Sequence, residues 1–210
     1  MRRLVFVLTV MVAALFMASA VALAVTKIGT SGPDTLTGTN SSDTLVGNGG
    51  DDTLFSRAGN DTLLGGTGKD RLISGRRTDN TSAGFRASTG DKALDGGNGN
   101  DTIVGGRGAD AILGGEGNDF LGTLPWRGDP SKDSISGGEG NDAINVLNKA
   151  PAQAADMITC GEGTDSILVD RKDVAAADCE KVFVGNGSVD AWFESIPESF
   201  WEELPPFFKR

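Results

Sequence analysis

Asp34, Asp43, Asp52, Asp61 and Asp70 stand nine residues apart, and each is followed two positions on by leucine. The pairing returns at Asp101, Asp110, Asp119, Asp133, Asp142, Asp156 and Asp165, where leucine or isoleucine again follows. Carboxylates in a fixed array are hard oxygen donors, suited to a cation that takes oxygen ligands. Catalysis is a poorer match. The chain has no histidine, which removes the serine–histidine–aspartate triad, the H-E-x-x-H zinc site and any imidazole acid or base. No G-x-S-x-G nucleophile motif occurs either. The chain reads as a non-enzyme.

Charge and composition agree. Lys and Arg number 19 against 29 Asp and Glu, a formal charge of −10, which becomes −12 once Arg2 and Arg3 are removed with a leader. Nucleic acid and anionic membranes are therefore poor partners, and divalent cations are the natural counterions. With 31 glycines and 6% aromatic residues in 210, the chain does not suit an ordinary hydrophobic core.

The aspartates belong to consecutive nine-residue units. Units such as GNGGDDTLF and GGTGKDRLI fill Gly29 to Ile73, and the register resumes from Ala87 to Gly122. Two more cover Gly128 to Asn145, and PAQAADMIT and CGEGTDSIL end the series at Leu168. In all thirteen units the eighth residue is Leu or Ile, and in twelve the sixth is Asp, the exception being Lys92. Positions six and eight share a face of an extended segment, since alternate residues point the same way. The glycines before them supply the turn, because glycine tolerates positive φ and lets main-chain carbonyls approach an ion. Each unit is thus a tight turn and a short strand, and two units make an eighteen-residue coil. Stacked coils give an all-β fold, a parallel β-roll or β-solenoid of about thirteen nonapeptides, with Leu and Ile between two sheets.

The apolar ladder is too thin to offset the ordering of so much backbone. Aligned aspartates add repulsion unless a cation sits between them. Ca2+ fits best, accepting six to eight oxygen ligands with loose geometry. Binding and folding are expected to be coupled.

These units resemble the G-G-x-G-x-D-x-U-x nonapeptide of RTX, or hemolysin-type calcium-binding, repeats. Five match in full, starting at Gly65, Gly96, Gly105, Gly114 and Gly137, and the resemblance spans Gly29 to about Leu168. It implies a parallel β-roll in which ions lie between turns of successive coils, held by position-six aspartates and glycine-turn carbonyls. The expected metal ligands are Asp34, Asp52, Asp70, Asp101, Asp119, Asp142 and Asp165 on one edge. On the other they are Asp43, Asp61, Asp110 and Asp133. Lys92 and Asp156 also fall on this second edge and weaken it, the first as a cation and the second in a unit without glycine.

The flanks read differently. Arg2 and Arg3, an apolar run from Leu4 to about Met17, and small-residue sites before Ala20 and Ala24 lay out a secretory signal peptide over residues 1–24. Leu4 to Val25 is also long enough to be an uncleaved anchor. Either way the remainder is exported, and the expected location is extracellular, without stable membrane insertion after cleavage. Residues 25–168 form the roll, with insertions at 74–86, 123–127 and 146–150. Residues 169–210 form a C-terminal cap or tail, with short helices after Ser188 and from Pro197. An exported chain whose only cysteines are Cys160 and Cys179 most simply pairs them. Seven of the thirteen aromatic residues, from Phe183 to Phe208, lie in this last stretch, either as a cap on the final coil or as a tail that docks on a cell surface or protein partner. Thr35, Thr44, Thr53 and Thr62 occupy position seven, pointing outward and divided between opposite faces.

The leading functional reading is a secreted calcium-binding module with a structural or attachment role. An adhesin is a second reading, and an accessory fragment of an exported hydrolase a third.

Overall fold

A computed structural model describes residues 23–75, 93–106, 108–122, 131–147, 154–185 and Glu194. The signal peptide, the arginine-rich insertion, Lys92, Trp126 and the proposed C-terminal helices lie outside the described residues.

Among those described, every element is a β-strand. The first eight are β1 (Thr26–Ile28), β2 (Thr35–Thr37), β3 (Thr44–Gly49), β4 (Thr53–Arg57), β5 (Thr62–Thr67), β6 (Arg71–Ser74), β7 (Ala93–Asn98) and β8 (Thr102–Val104). The rest are β9 (Ala111–Glu116), β10 (Phe120–Gly122), β11 (Ser134–Glu139), β12 (Ala143–Asn145), β13 (Met157–Glu162), β14 (Ser166–Val169), β15 (Val174–Ala175) and β16 (Lys181–Val184). Odd-numbered strands form one eight-stranded sheet and even-numbered strands the other, each in chain order. All the pairings are parallel, so the chain alternates between the sheets as a β-roll requires.

Leu45, Leu54, Leu63, Leu72, Leu94, Ile103, Ile112, Leu121, Ile135, Ile144, Ile158 and Ile167 form the core between the sheets. Leu36, at the N-terminal end with a neighbour on one side only, is partly buried. The ladder persists across the insertions because each coil re-enters register. Leu63 pairs with Leu94, and Leu72 with Ile103, on either side of residues 76–92.

Glycine does two jobs in the turns. Gly115 and Gly117, at positions two and four, have φ of +118° and +127°, a left-handed backbone that a side chain would strain. Gly114, at position one, has no such φ and is there for space: a Cβ would lie closer than 3.0 Å to both Asp119 Oδ2 and the carbonyl of Gly137.

The stack extends past the point where nonapeptides end. β15 pairs with β13, and β16 with β14, so the sheets continue through Val184 instead of stopping at Leu168. A further coil needs the inward alternation of Ala175 and Val182, not nine residues per turn. Ser74 and Val146, which nonapeptide counting puts in insertions, also belong to coils: Ser74 ends β6, and Val146 is fully buried with its N–H on Leu168 O at 2.9 Å. Thr44 and Thr62 stand on one sheet and Thr35 and Thr53 on the other, as alternation requires.

The two outer faces are unlike. On the odd sheet the outward Leu113 and Met157 are 44% and 50% exposed, whereas on the even sheet the outward Val104, Phe120 and Leu168 are each under 3%. Part of that shielding is local, since the Phe120 ring lies over Gly122.

The ends of the stack differ too. At the N-terminal end Lys27, in register with the core residue Leu45, holds Thr37 O through Nζ at 2.7 Å. At the other end Val182 and Val184, in register with Ile167 and Val169, remain 44% and 41% exposed.

Candidate metal centre

Asp52, Asp70, Asp101, Asp119, Asp142 and Asp165 form a column along one edge, and Asp34 begins it. Position six places the carboxyl on the inward side of the turn, on the same face as the Leu or Ile two residues later. Each Oδ1 accepts the main-chain N–H of the aspartate one coil earlier. The N–H of Asp34 reaches Asp52 at 2.7 Å, Asp52 reaches Asp70 at 2.8 Å, and Asp70 reaches Asp101 at 2.7 Å across the insertion. Asp101 to Asp119, Asp119 to Asp142 and Asp142 to Asp165 continue at 2.7 to 2.8 Å. The second edge repeats this from Asp43 to Asp61, then from Asp110 to Asp133 and Asp133 to Asp156.

The other oxygen is the informative one. Oδ2 of Asp52, Asp70, Asp101, Asp119, Asp142 and Asp165 is buried and makes no hydrogen bond. Leaving a buried carboxylate oxygen unpaired is costly, and a whole column of them favours either a counter-charge or protonation. The space beside these oxygens is kept open by glycine. A Cβ on Gly47, Gly65, Gly96, Gly114 or Gly137 would collide with Oδ2 of its own unit and with a main-chain carbonyl of the next coil. At Gly38 the same clash involves Asp43 Oδ2 and Ser56 O, both at 2.6 Å. A carboxylate oxygen and a carbonyl oxygen therefore face one small volume at turn after turn.

Burial pushes these carboxyls up. Asp70 rises to about 6, Asp101 and Asp142 to about 7 and Asp119 to about 8. Desolvation is the largest cause in each, offset in part by the N–H donated from the preceding aspartate and reinforced by neighbouring carboxylates. Asp34 goes the other way, because Oδ2 accepts the N–H and hydroxyl of Thr30 at 2.6 and 2.9 Å and holds the charge in water. Thr39 likewise donates its N–H and hydroxyl to the carboxylate of Asp43. Of the expected ligands, these two at the N-terminal end have Oδ2 already bonded to a threonine.

Three residues outside the expected set join the columns. Asp156 is buried and accepts from Asp133 at 2.9 Å, despite its glycine-free unit. Asp173 takes position six in the next coil, accepting from Asp156 at 3.1 Å, and Glu180 does so on the first edge, accepting from Asp165 at 2.9 Å. Their separations of 17 and 15 residues hide them from a nine-residue count.

The donor set is all oxygen, which suits Ca2+ and excludes cations that need nitrogen or sulfur. Among the described residues no three acidic side chains converge to hold an ion by themselves, so main-chain carbonyls must complete each shell. The glycine-lined volumes supply that possibility.

Fold and site together define a calcium-binding parallel β-roll. The RTX calcium-binding nonapeptide repeat family matches the chain in four copies, over residues 28–63, 51–79, 88–121 and 127–146, together just over half of its length. The chain belongs to this family, whose repeats bind Ca2+. Comparison with curated proteins and with solved structures finds no match.

Proposed function

We propose that this is an exported, non-enzymatic calcium-binding module whose roll folds as Ca2+ binds and which serves a structural or attachment role. The observation that carries the reading is the column of buried, unpartnered Oδ2 atoms from Asp52 to Asp165, which from Asp52 to Asp142 lie beside glycines that leave room for an ion. Bound Ca2+ supplies the positive charge that the column lacks. Asp52, Asp70, Asp101, Asp119, Asp142 and Asp165 would hold it on one edge, and Asp61, Asp110 and Asp133 on the other. Asp34 and Asp43 are the outermost members, restrained by Thr30 and Thr39. Export rests on the leader-like pattern of residues 1–24, and the Cys160–Cys179 bond is compatible with an oxidising destination.

Far-ultraviolet circular dichroism of the purified chain, titrated with Ca2+ and then with excess chelator, tests the coupling. The β signal should appear with Ca2+ and vanish with chelator. Superimposable spectra would refute folding on binding.

A further inference from the structure

The last repeat aspartate has no nonapeptide after it. Along this edge, from Asp52 to Asp142, each turn is followed one coil on by another nonapeptide with its own position-six carboxylate. After Asp165 the chain runs VDRKDVAAADCEK. Asp165 is nonetheless fully buried, and its Oδ2 has no partner. Its N–H donates to Glu180 Oε2 at 2.9 Å, as that of Asp142 donates to Asp165 Oδ1 at 2.7 Å. Glutamate is one methylene longer than aspartate, which lets it reach the column from a turn spanning 15 residues instead of 18. Asp178 is tied to the same coil, its Oδ2 accepting the N–H of Gly161 at 3.1 Å.

Cys179 stands between these two acids. It is bonded to Cys160, the first residue of the nonapeptide that contains Asp165, with the Cα atoms 5.1 Å apart. At the interior turns of this edge the first position is glycine, Gly47, Gly65, Gly96, Gly114 and Gly137, because a Cβ would meet the carboxylate. Here a side chain occupies it and carries the covalent link to the next coil. The gap that glycine leaves at those turns is narrowed beside Asp165, and Glu180 and Asp178 lie near enough for their charges to act on its carboxyl.

We propose that the Cys160–Cys179 disulfide builds a terminal Ca2+ site, in which Asp165 is completed by Glu180 with Asp178 adding charge, and that this site exists only in the oxidised chain. Main-chain oxygens of residues 161–180 complete the shell, as carbonyls do in the repeats. Both acids repel the Asp165 charge, and Lys181 opposes them, so the cluster is short of positive charge without an ion. Without the disulfide, the segment carrying Asp178 and Glu180 loses its attachment beside Asp165, and the site loses both acids together.

The inference rests on the reading that ions lie between coils, and the test separates the two. Native mass spectrometry of the purified full chain counts bound Ca2+ in wild type, Glu180→Gln, Asp178→Asn and the Cys160→Ser/Cys179→Ser double variant. Glu180→Gln keeps the acceptor for the Asp165 N–H and should lose one ion, with the remaining count and the dichroism unchanged. The reduced wild type and the double serine variant should lose that same single ion, and reduction of Glu180→Gln should cost nothing more. Asp178→Asn should weaken that ion at least tenfold. Unchanged counts in Glu180→Gln and in the reduced protein overturn the terminal site alone. A wild type that binds no Ca2+ overturns the underlying reading as well.

Discussion

The main-chain N–H of Asp101 donates to Oδ1 of Asp119 at 2.8 Å, so Asp119 holds its predecessor with one oxygen while the other is buried without a hydrogen bond. The two oxygens are separable by mutation. Asp119→Asn keeps an acceptor for Asp101 but removes a buried charge, whereas Asp119→Ala removes both. In calcium both variants should bind fewer ions and unfold at lower denaturant than wild type. In chelator Asp119→Asn should hold more residual structure than wild type, because the uncompensated charge is gone. Asp119→Ala should be worse than Asp119→Asn in both conditions by about 1–3 kcal/mol, the cost of an unmet buried N–H. Denaturant titrations with and without Ca2+ decide this, and a wild type that outlasts Asp119→Asn in chelator would contradict the assignment.

Acidity should partly substitute for the ion. A carboxyl whose pKa is raised on folding binds its proton more tightly folded than unfolded, so stability falls as pH rises through the window between the two values. Asp70, Asp101, Asp142 and Asp119 set that window from the ordinary 3.8 up to about 8. In calcium-stripped buffer the β signal should therefore grow as pH is lowered from 8 towards 5. The Ca2+ concentration for half-folding should fall over the same range, since carboxyls that take up a proton on folding already remove part of the repulsion that Ca2+ otherwise offsets. Dichroism at fixed pH steps measures both, and the opposite slope in either would count against the column as the titrating element.

Glycine at position one should be replaceable only where no carboxylate faces it. In Gly114→Ala the new methyl meets Asp119 Oδ2 and the Gly137 carbonyl, and overpacking of this kind costs about 1–3 kcal/mol. Gly32→Ala is the control, because the nearest atom to its Cβ would be Thr30 Oγ1 at 4.0 Å. Isothermal titration should show weakened Ca2+ binding in Gly114→Ala and wild-type behaviour in Gly32→Ala.

The polar N-terminal end should keep copies apart. Lys27 puts an ammonium on the ladder position of Leu45, and inward charge on an edge strand blocks further pairing. Lys27→Leu should promote end-to-end association with the exposed Val182 and Val184 of another copy, a heterologous contact that does not close. Sedimentation velocity in Ca2+ would show a concentration-dependent shift to larger species, absent in wild type.

Most of this architecture is legible in the nonapeptides, for a simple reason. Asp70 and Leu72, or Asp119 and Leu121, report both the inward face and the turn edge, because strand alternation has a period of two and the unit a period of nine. The sequence alone assigns Asp34 through Asp165 to one edge and Asp43 through Asp133 to the other, as the structure places them. Legibility fails where geometry no longer needs the motif. Asp173 and Glu180 continue the columns at shorter spacing, and Asp156 does so without glycine. Thr30 and Thr39 are invisible as competitors until their hydroxyls are seen on Asp34 and Asp43. Alternation also predicts exposure for Val104 and Phe120, yet both are buried.

The aspartate bonds all point the same way along the chain, each coil borrowing its acceptor from the coil that follows. For a polypeptide that emerges N-terminus first, a newly arrived coil is therefore an unfinished half-joint that must wait for the next. On this geometry folding would run as a row of latches, each thrown by its successor, and the last latch among the described residues is Glu180 beside a covalent bolt at Cys179. A chain cut short anywhere before that residue ends on an open latch, so completeness of the C-terminal coil reports on the integrity of the whole row.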